Sequence, residues 1–438
     1  MKIPPVKGTR DFYPEDMAVH NYIVDGWKKV SLRNGFEEYD GPIFEYLKMF
    51  QIKSGDEIVE QLFSFKDRGD RDLAIRPEIT PTLARMVNQK INAFPKPIKW
   101  FSVPRLCRAE RPQKGRLREF FQWNIDIIGA DDGRADAEVI FTTVDYLRSV
   151  GLTPQDIKVK YSSRKLLTAA LRNFGISTDD LRPLYALLDK KAKLPKDTFE
   201  TLLKEQVGDE NIVKKVLEFM STGDINDVEK LVKGNFLEND IEQLNEVFVS
   251  LDQMGVSDYC VFDPGIVRGL AYYTGIVFEV HDIQGDLRAI CGGGRYDNLL
   301  RDFGGPVVSA TGMGMGDCVL EILLREKGLL ANNIRANGLD YYVACAAMLS
   351  THYDMRLVSK IREKGFSAAF SYKVDVARKY KESDLSKQME EAAALKARNC
   401  IIVGYDKPLD LTKFIVKNMS TGEQRTVRES DFLDELKK

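Results

Sequence analysis

The sequence predicts a mixed α/β protein of two or three domains, and three observations carry that prediction. A strand–loop–strand unit lies between Pro104 and Asp126, a charged stretch from 166 to about 251 reads as short amphipathic helices, and strands alternate with helices from Tyr341 onward. The last pattern predicts a small α/β domain with a largely parallel sheet. At 438 residues, 44% hydrophobic and 30% charged, the chain has the length and composition of a soluble globular protein with several cores.

The strand–loop–strand unit is the most informative stretch. Six cations (Arg105, Arg108, Arg111, Lys114, Arg116, Arg118) stand against one acid, Glu110, and Pro112 and Gly115 break the middle. Along the second strand, period two puts Phe120, Gln122, Asn124 and Asp126 on one face and Phe121, Trp123 and Ile125 on the other. The second face is apolar enough for a core. The first carries a ring followed by polar groups that are costly to bury without a purpose. Two readings follow: an exposed basic hairpin, or a polyanion site in which arginines enter from strand and loop and a ring stacks on a base.

Before this unit, a turn-rich segment, Lys7 to Glu15, leads into an amphipathic helix over Pro14–Asn34. Gly35 ends the helix, and Phe36–Glu45 is extended. Strands are predicted at Phe63–Asp67 and Leu73–Ile75. Arg76-Pro77-Glu78-Ile79-Thr80-Pro81 then opens a helix, with Thr80 as its cap and Pro81 at its first position. Further strands are predicted at Ile157–Tyr161, Cys260–Asp263 and the second half of Val267–Val280. Gly312–Val319 is predicted to begin a helix, and Glu326–Asn337 to be a linker. The C-terminal part reads as strand Tyr341–Cys345, helix Thr351–Lys364, strand Phe366–Tyr372, helix Asp384–Ala397, and strands Cys400–Val403 and Phe414–Asn418.

Net charge is -2, so any attraction to nucleic acid must be local; residues 341–438, with 18 basic and 14 acidic side chains, are mildly basic. No segment approaches a membrane span, and Met-Lys-Ile-Pro-Pro-Val-Lys-Gly lacks a signal peptide's apolar core, so a cytoplasmic location is expected. Six scattered cysteines and three histidines disfavour zinc; the metal expected is Mg²⁺ arriving with a nucleotide.

Arg108-Ala109-Glu110 and Glu119-Phe120-Phe121-Gln122 resemble motif 2 of the class II aminoacyl-tRNA synthetases, and the loop Arg111–Arg116 resembles that of the histidyl group. Helix, Gly35-Phe36, strand and Pro42 resemble motif 1. Arg268-Gly269-Leu270-Ala271-Tyr272-Tyr273-Thr274-Gly275 with Phe278-Glu279, and Gly293-Gly294-Arg295-Tyr296-Asp297, resemble the two histidyl signatures; Ala271 stands where the family often has Asp. The resemblance covers nearly the whole chain and is weakest over the helical stretch. It implies a catalytic domain over 1–330, with a mixed, mainly antiparallel sheet flanked by helices and a helical insertion at about 166–251 that touches the tRNA acceptor arm. It also implies an anticodon-binding α/β domain over 338–438.

The activity implied is ATP-dependent ligation of L-histidine to tRNA(His), by a homodimer built through motif 1. Carried over residue by residue, Arg108 and Arg268 serve catalysis, and Arg108, Glu110, Arg116 and Phe120 bind ATP. Glu78, Thr80, Gln122, Asp126, Arg268, Tyr272, Tyr273 and Tyr296 bind histidine, and Gln113, Lys114 and Arg118 meet tRNA. Gly312–Val319 resembles motif 3, but Val319 stands where the class II arginine packs on adenine and meets the γ-phosphate; Arg295, Arg301 or a metal are the candidate replacements. That departure keeps an alternative in view, an inactive paralogue that senses histidine as a regulatory subunit of ATP phosphoribosyltransferase.

Overall fold

The computed structural model describes residues 3–52, 62–191, 194–232, 238–268, 272–285, 287–330, 338–346, 352–372, 382–405 and 410–436. The chain divides into two compact units, residues 1–11 with 19–333 and residues 12–18 with 334–438.

The first unit is built on a nine-stranded sheet. Its strands are β1 (Glu37–Glu38), β5 (Ile98–Ser102), β6 (Arg105–Cys107), β7 (Glu119–Ile128), β8 (Ile157–Ser163), β9 (Cys260–Phe262), β10 (Ile276–Asp282), β11 (Cys291–Arg295) and β12 (Ala310–Gly316). The order is β1-β5-β7-β12-β11-β10-β8-β9, with β6 paired to β7; only β1–β5 and β8–β9 are parallel. A small separate sheet has the order β2-β4-β3, from β2 (Phe44–Tyr46), β3 (Ser64–Lys66) and β4 (Asp72–Ile75). This is the mixed, mainly antiparallel sheet expected.

The alternation along β7 fixes how the sheet is covered. Trp123 and Ile125 are fully buried; Trp123 stacks on Trp27 of the helix Pro14–Arg33 and meets Tyr146 of the helix Gly133–Ser149 edge-on, with ring centroids 6.2 and 5.5 Å away. Trp123 Nε1 donates to Ser31 Oγ at 2.8 Å, so the indole is buried with its polar atom satisfied. Asn124 and Asp126 therefore face the opposite way, away from this core.

Between Arg164 and Gln253 the chain forms a series of helices. Those within 181–219 bury Leu184, Leu188, Phe199, Leu203, Val213, Val216 and Phe219, the last against Phe174. Gly312–Gly316, expected to begin a helix, is instead strand β12, and the helix starts at Asp317. Three glycines in five residues lower the helical propensity of this stretch, and pairing with both β7 and β11 holds it extended. Thr80 is not a cap either: it is the first residue of the helix Thr80–Lys90, Ile79 is the cap, and no side chain caps the end.

The second unit has a five-stranded sheet of order β14-β13-β15-β16-β17, from β13 (Tyr341–Cys345), β14 (Ala368–Phe370), β15 (Asn399–Val403), β16 (Lys413–Asn418) and β17 (Gln424–Arg428). β13 is parallel to both neighbours, but β15, β16 and β17 run antiparallel, so the sheet is mixed rather than largely parallel. The Asn418–Glu423 turn is too short for a crossover, which is why β17 turns back on β16. β17 and the helix Glu429–Glu435 were not anticipated. Gln-Arg-Thr-Val-Arg is an exposed edge without apolar alternation, and the helix contributes one buried anchor, Phe432, against Phe414. Residues 331–337 of the expected linker lie outside the described residues.

Candidate active site

Strand register, more than any single residue, builds the site. Asp126, Gly312, Gly294 and Val277 stand opposite one another across β7, β12, β11 and β10; Asn124, Gly314, Gly292 and Glu279 form the adjacent row. Opposed residues share a face, so four glycines pave a floor between Asn124 and Asp126 on one side and Glu279 on the other. The space above them is in use. A Cβ at Gly292 would stand 2.8 Å from Arg268 Cζ, one at Gly294 3.0 Å from Tyr273 Cδ1, one at Gly314 3.0 Å from Gln122 Nε2, and one at Gly312 would overlap Asp126 Oδ1. Arg268, Tyr273, Gln122 and Asp126, separated by up to 151 positions in sequence, thus converge on one strip of bare backbone.

Asp126 is only 4% exposed, and the Tyr296 hydroxyl donates to its Oδ1. Burial pushes the Asp126 carboxyl up to about 7, although the Tyr296 bond pulls the other way. Tyr272 lies 4.8 Å from Tyr273 and 5.9 Å from Tyr296, ring to ring, and burial holds all three phenols above their usual range, as donors. Tyr39 joins them: its hydroxyl is buried without a hydrogen-bond partner among the described residues, and the Asp126 charge adds to the burial that raises it. No sequence signal marked Tyr39.

Glu78, 7% exposed, lies within electrostatic reach of Tyr272, Tyr273 and Arg108. Arg108 is tied to the same segment, Nε donating to the Pro77 carbonyl at 3.0 Å, and its guanidinium lies 5.2 Å above the Phe120 ring. Burial lowers the Arg108 pKa and the Glu78 charge opposes that. Arg76 is structural, its buried guanidinium reaching Asp40 at 2.6 Å and the Gly41 and Arg105 carbonyls. Thr80 starts the adjoining helix and adds no capping bond.

The loop after Arg108 is folded on itself. Arg116 ion-pairs with Glu110, and Arg118 Nε donates to the Glu110 carbonyl at 3.0 Å while Arg118 N–H donates to the Gly8 carbonyl. Gln113 accepts from Arg288, and Lys114 pairs with Glu326 at 3.1 Å. At the tip, Gly115 has φ +73°, and a Cβ there would stand 2.9 Å from Val319 Cγ2. Val319 thus seats the loop tip.

The candidate replacements for the class II arginine are placed elsewhere. Arg295 is wholly buried and commits its guanidinium to Asp136 (2.8 and 2.9 Å), Ser309 and the carbonyls of Ala130 and Asp132. It alternates with Gly294 and so points off the opposite face of β11. Arg301 is largely exposed and pairs with Asp302 at 3.5 Å. Gly269, Leu270 and Ala271 of the first signature lie outside the described residues.

A mainly antiparallel sheet with an arginine-bearing hairpin over a glycine-paved floor is the catalytic architecture of a class II aminoacyl-tRNA synthetase. The family model for histidyl-tRNA synthetase matches residues 8–316, and that for the anticodon-binding domain matches 340–438. The chloroplastic/mitochondrial histidine–tRNA ligase of Arabidopsis thaliana is 39% identical over 436 residues, covering 98% of this chain and 86% of that protein. The crystal structure of histidyl-tRNA synthetase from Nostoc sp. PCC 7120 superposes with a TM-score of 0.81 at 22% identity, over 100% of this chain and 99% of that one. A Bacillus halodurans C structure described as an ATP phosphoribosyltransferase regulatory subunit/histidyl-tRNA synthetase superposes at 0.72, again at 22% identity, over 86% and 95% of the two chains. The chain belongs to the histidyl-tRNA synthetase family.

Proposed function

We infer that this chain is a histidine–tRNA ligase, an enzyme that activates L-histidine with ATP and transfers it to the 3′ end of tRNA(His). The observation that carries the reading is the convergence of Arg268, Tyr273, Gln122 and Asp126 over the glycine floor. Shape alone does not separate ligase from regulatory subunit, since both descriptions attach to similar folds. The match over 340–438 to an anticodon-binding domain, and full-length relatives named as ligases, favour the ligase.

In the first step an α-carboxylate oxygen of histidine bonds to the α-phosphorus and the bond to pyrophosphate breaks. A carboxylate of pKa ~3.5 is already ionised, so no general base is needed. The site has to align two anions and stabilise charge on the α-phosphate. Arg108 and Arg268 supply that positive field. Asp126 and Tyr273 hold the two imidazole nitrogens, Tyr272 and Tyr296 wall the pocket, and Glu78, Thr80 and Gln122 receive the ammonium. Phe120 stacks on adenine and Glu110 meets its amino group. Arg116 reaches the γ-phosphate on leaving Glu110.

ATP arrives as its Mg²⁺ complex. Such an ion is held largely by the phosphates and water, with at most one or two carboxylates from the protein. Gln113, Lys114 and Arg118 meet the acceptor end of tRNA, residues 338–438 bind the anticodon, and the helices of 166–251 flank the acceptor arm. Among the described residues no helix is long and apolar enough to cross a membrane. A cytoplasmic location is part of the proposal, and six free cysteines are compatible with it. Histidine-dependent exchange of pyrophosphate into ATP is the test. Exchange with histidine and none with the other amino acids is expected; histidine binding without exchange would turn the reading to a sensor.

A homodimer is part of the proposal. Phe44 (54% exposed), Tyr46 and Phe65 line one face of the β2-β4-β3 sheet beside exposed Ile43, and Phe44 and Phe65 are 6.2 Å apart. Four large apolar side chains exposed side by side suit an interface. Phe44→Glu together with Phe65→Lys is expected to halve the mass measured by sedimentation equilibrium; an unchanged mass removes this sheet from the interface.

A further inference from the structure

Arg268 has a backbone φ of +57°, a left-handed conformation that is costly for a non-glycine residue and persists only where its surroundings hold it. Arg164 Nη1 donates to the Val267 carbonyl at 3.1 Å and lies 3.4 Å from that of Arg268, and the Arg268 guanidinium meets a carboxylate on the floor. Arg268 Nη1 donates to Glu279 Oε1 at 2.7 Å, and the other oxygen, Oε2, is 2.9 Å from His281 Nε2. Glu279 stands directly opposite Gly292, the glycine whose missing side chain leaves room for the guanidinium.

The neighbouring cations are engaged elsewhere. Lys160, opposite Glu279 on β8, pairs with Asp263 at 3.1 Å, and Lys158, opposite His281, donates to the Asp258 carbonyl. Among the described residues, Arg268 and His281 are therefore the partners of Glu279. Burial raises the Glu279 carboxyl, but the His281 bond and the Arg268 charge outweigh it and hold it down at about 2. The arginine's Nε is buried without a partner among the described residues, which leaves a donor of the positioned guanidinium uncommitted.

We propose that Glu279 and His281 are positioning residues for the activation step: Glu279 holds the Arg268 guanidinium above Gly292, and His281 fixes Glu279 by its second oxygen. Neither touches substrate. The proposal rests on the reading of Arg268 as the residue that meets the reacting anions, and it adds a reason why β10 carries Glu-x-His. A guanidinium displaced by about 1 Å from a phosphate in flight loses on the order of 100-fold in rate, so a loosened anchor acts on kcat before it acts on binding.

The test is steady-state pyrophosphate exchange with matched variants. Glu279→Gln is expected to lower kcat about 30-fold with the histidine KM within about 3-fold. His281→Phe, which keeps a ring but no donor, should lower kcat about 10-fold, and His281→Gln, which restores a donor, should recover most of it. Added to Arg268→Ala, Glu279→Gln should cost nothing further, because the group it positions is gone. Wild-type kcat in both Glu279→Gln and His281→Phe would overturn the positioning role, as would a full additional loss in the double variant. Wild-type exchange by Arg268→Ala would overturn the Arg268 reading itself, a separate outcome.

Discussion

Replacing Arg268 with alanine is expected to lower histidine-dependent pyrophosphate exchange by about 10³-fold, the scale for removing one preorganised donor from developing charge. The chain should still fold, because Arg268 is partly exposed, at 19% of its side chain, and its removal leaves Glu279 bonded to His281. Alanine keeps the Cβ, so the left-handed strain at this position is unchanged by the substitution, and the thermal midpoint should stay within a few degrees of wild type. Measuring exchange and melting on the same preparation separates chemistry from folding. Intact folding with unchanged turnover would take Arg268 out of the catalytic step.

Asp126→Asn has the second largest expected effect, and it has two readouts. A hydrogen bond to a charged group is worth about 1.5–3 kcal/mol, so the histidine KM should rise about 10- to 100-fold while exchange at saturation falls less. The second readout is stability against pH in the ligand-free protein. The folded carboxyl titrates at about 7, whereas an unfolded one titrates near ~3.9. Between those values the folded state keeps a proton that the unfolded state has released, so raising the pH through this window destabilises the fold. Wild type should therefore lose on the order of 3 kcal/mol more than Asp126→Asn between pH 4 and pH 8, read from denaturant midpoints. Parallel curves for the two proteins would mean that Asp126 ionises normally in the fold, and the buried Tyr296–Asp126 pairing would need revision.

Both positions were legible in the sequence, for different reasons. Asp126 follows from period two along Glu119–Asp126: once Trp123 and Ile125 are taken by a core, Asp126 has to face the other way. Arg268 followed from the resemblance of its signature, with no help from periodicity. The C-terminal strands Tyr341–Cys345 and Cys400–Val403 were also legible, because continuous apolar runs bounded by polar turns are a local signal. β17 was not, because an edge strand with one face in water has no such run.

The sequence by itself determined the strand alternation of β7, the hairpin with its cations, the alternating C-terminal unit and the signatures that place the chain in its family. Those are properties of neighbouring residues, and side-chain periods of 2.0 and 3.6 residues express them directly. Only the tertiary structure decided that Gly292, Gly294, Gly312 and Gly314 make one floor, that Glu279 and His281 anchor Arg268, that Tyr39 joins the Asp126 pocket, and that Arg295 is spent on Asp136 instead of ATP. It also gave Val319 a partner, the loop tip at Gly115. Each of these depends on the register of strands far apart in the chain, and shifting that register by one residue would turn every one of those side chains to the other face.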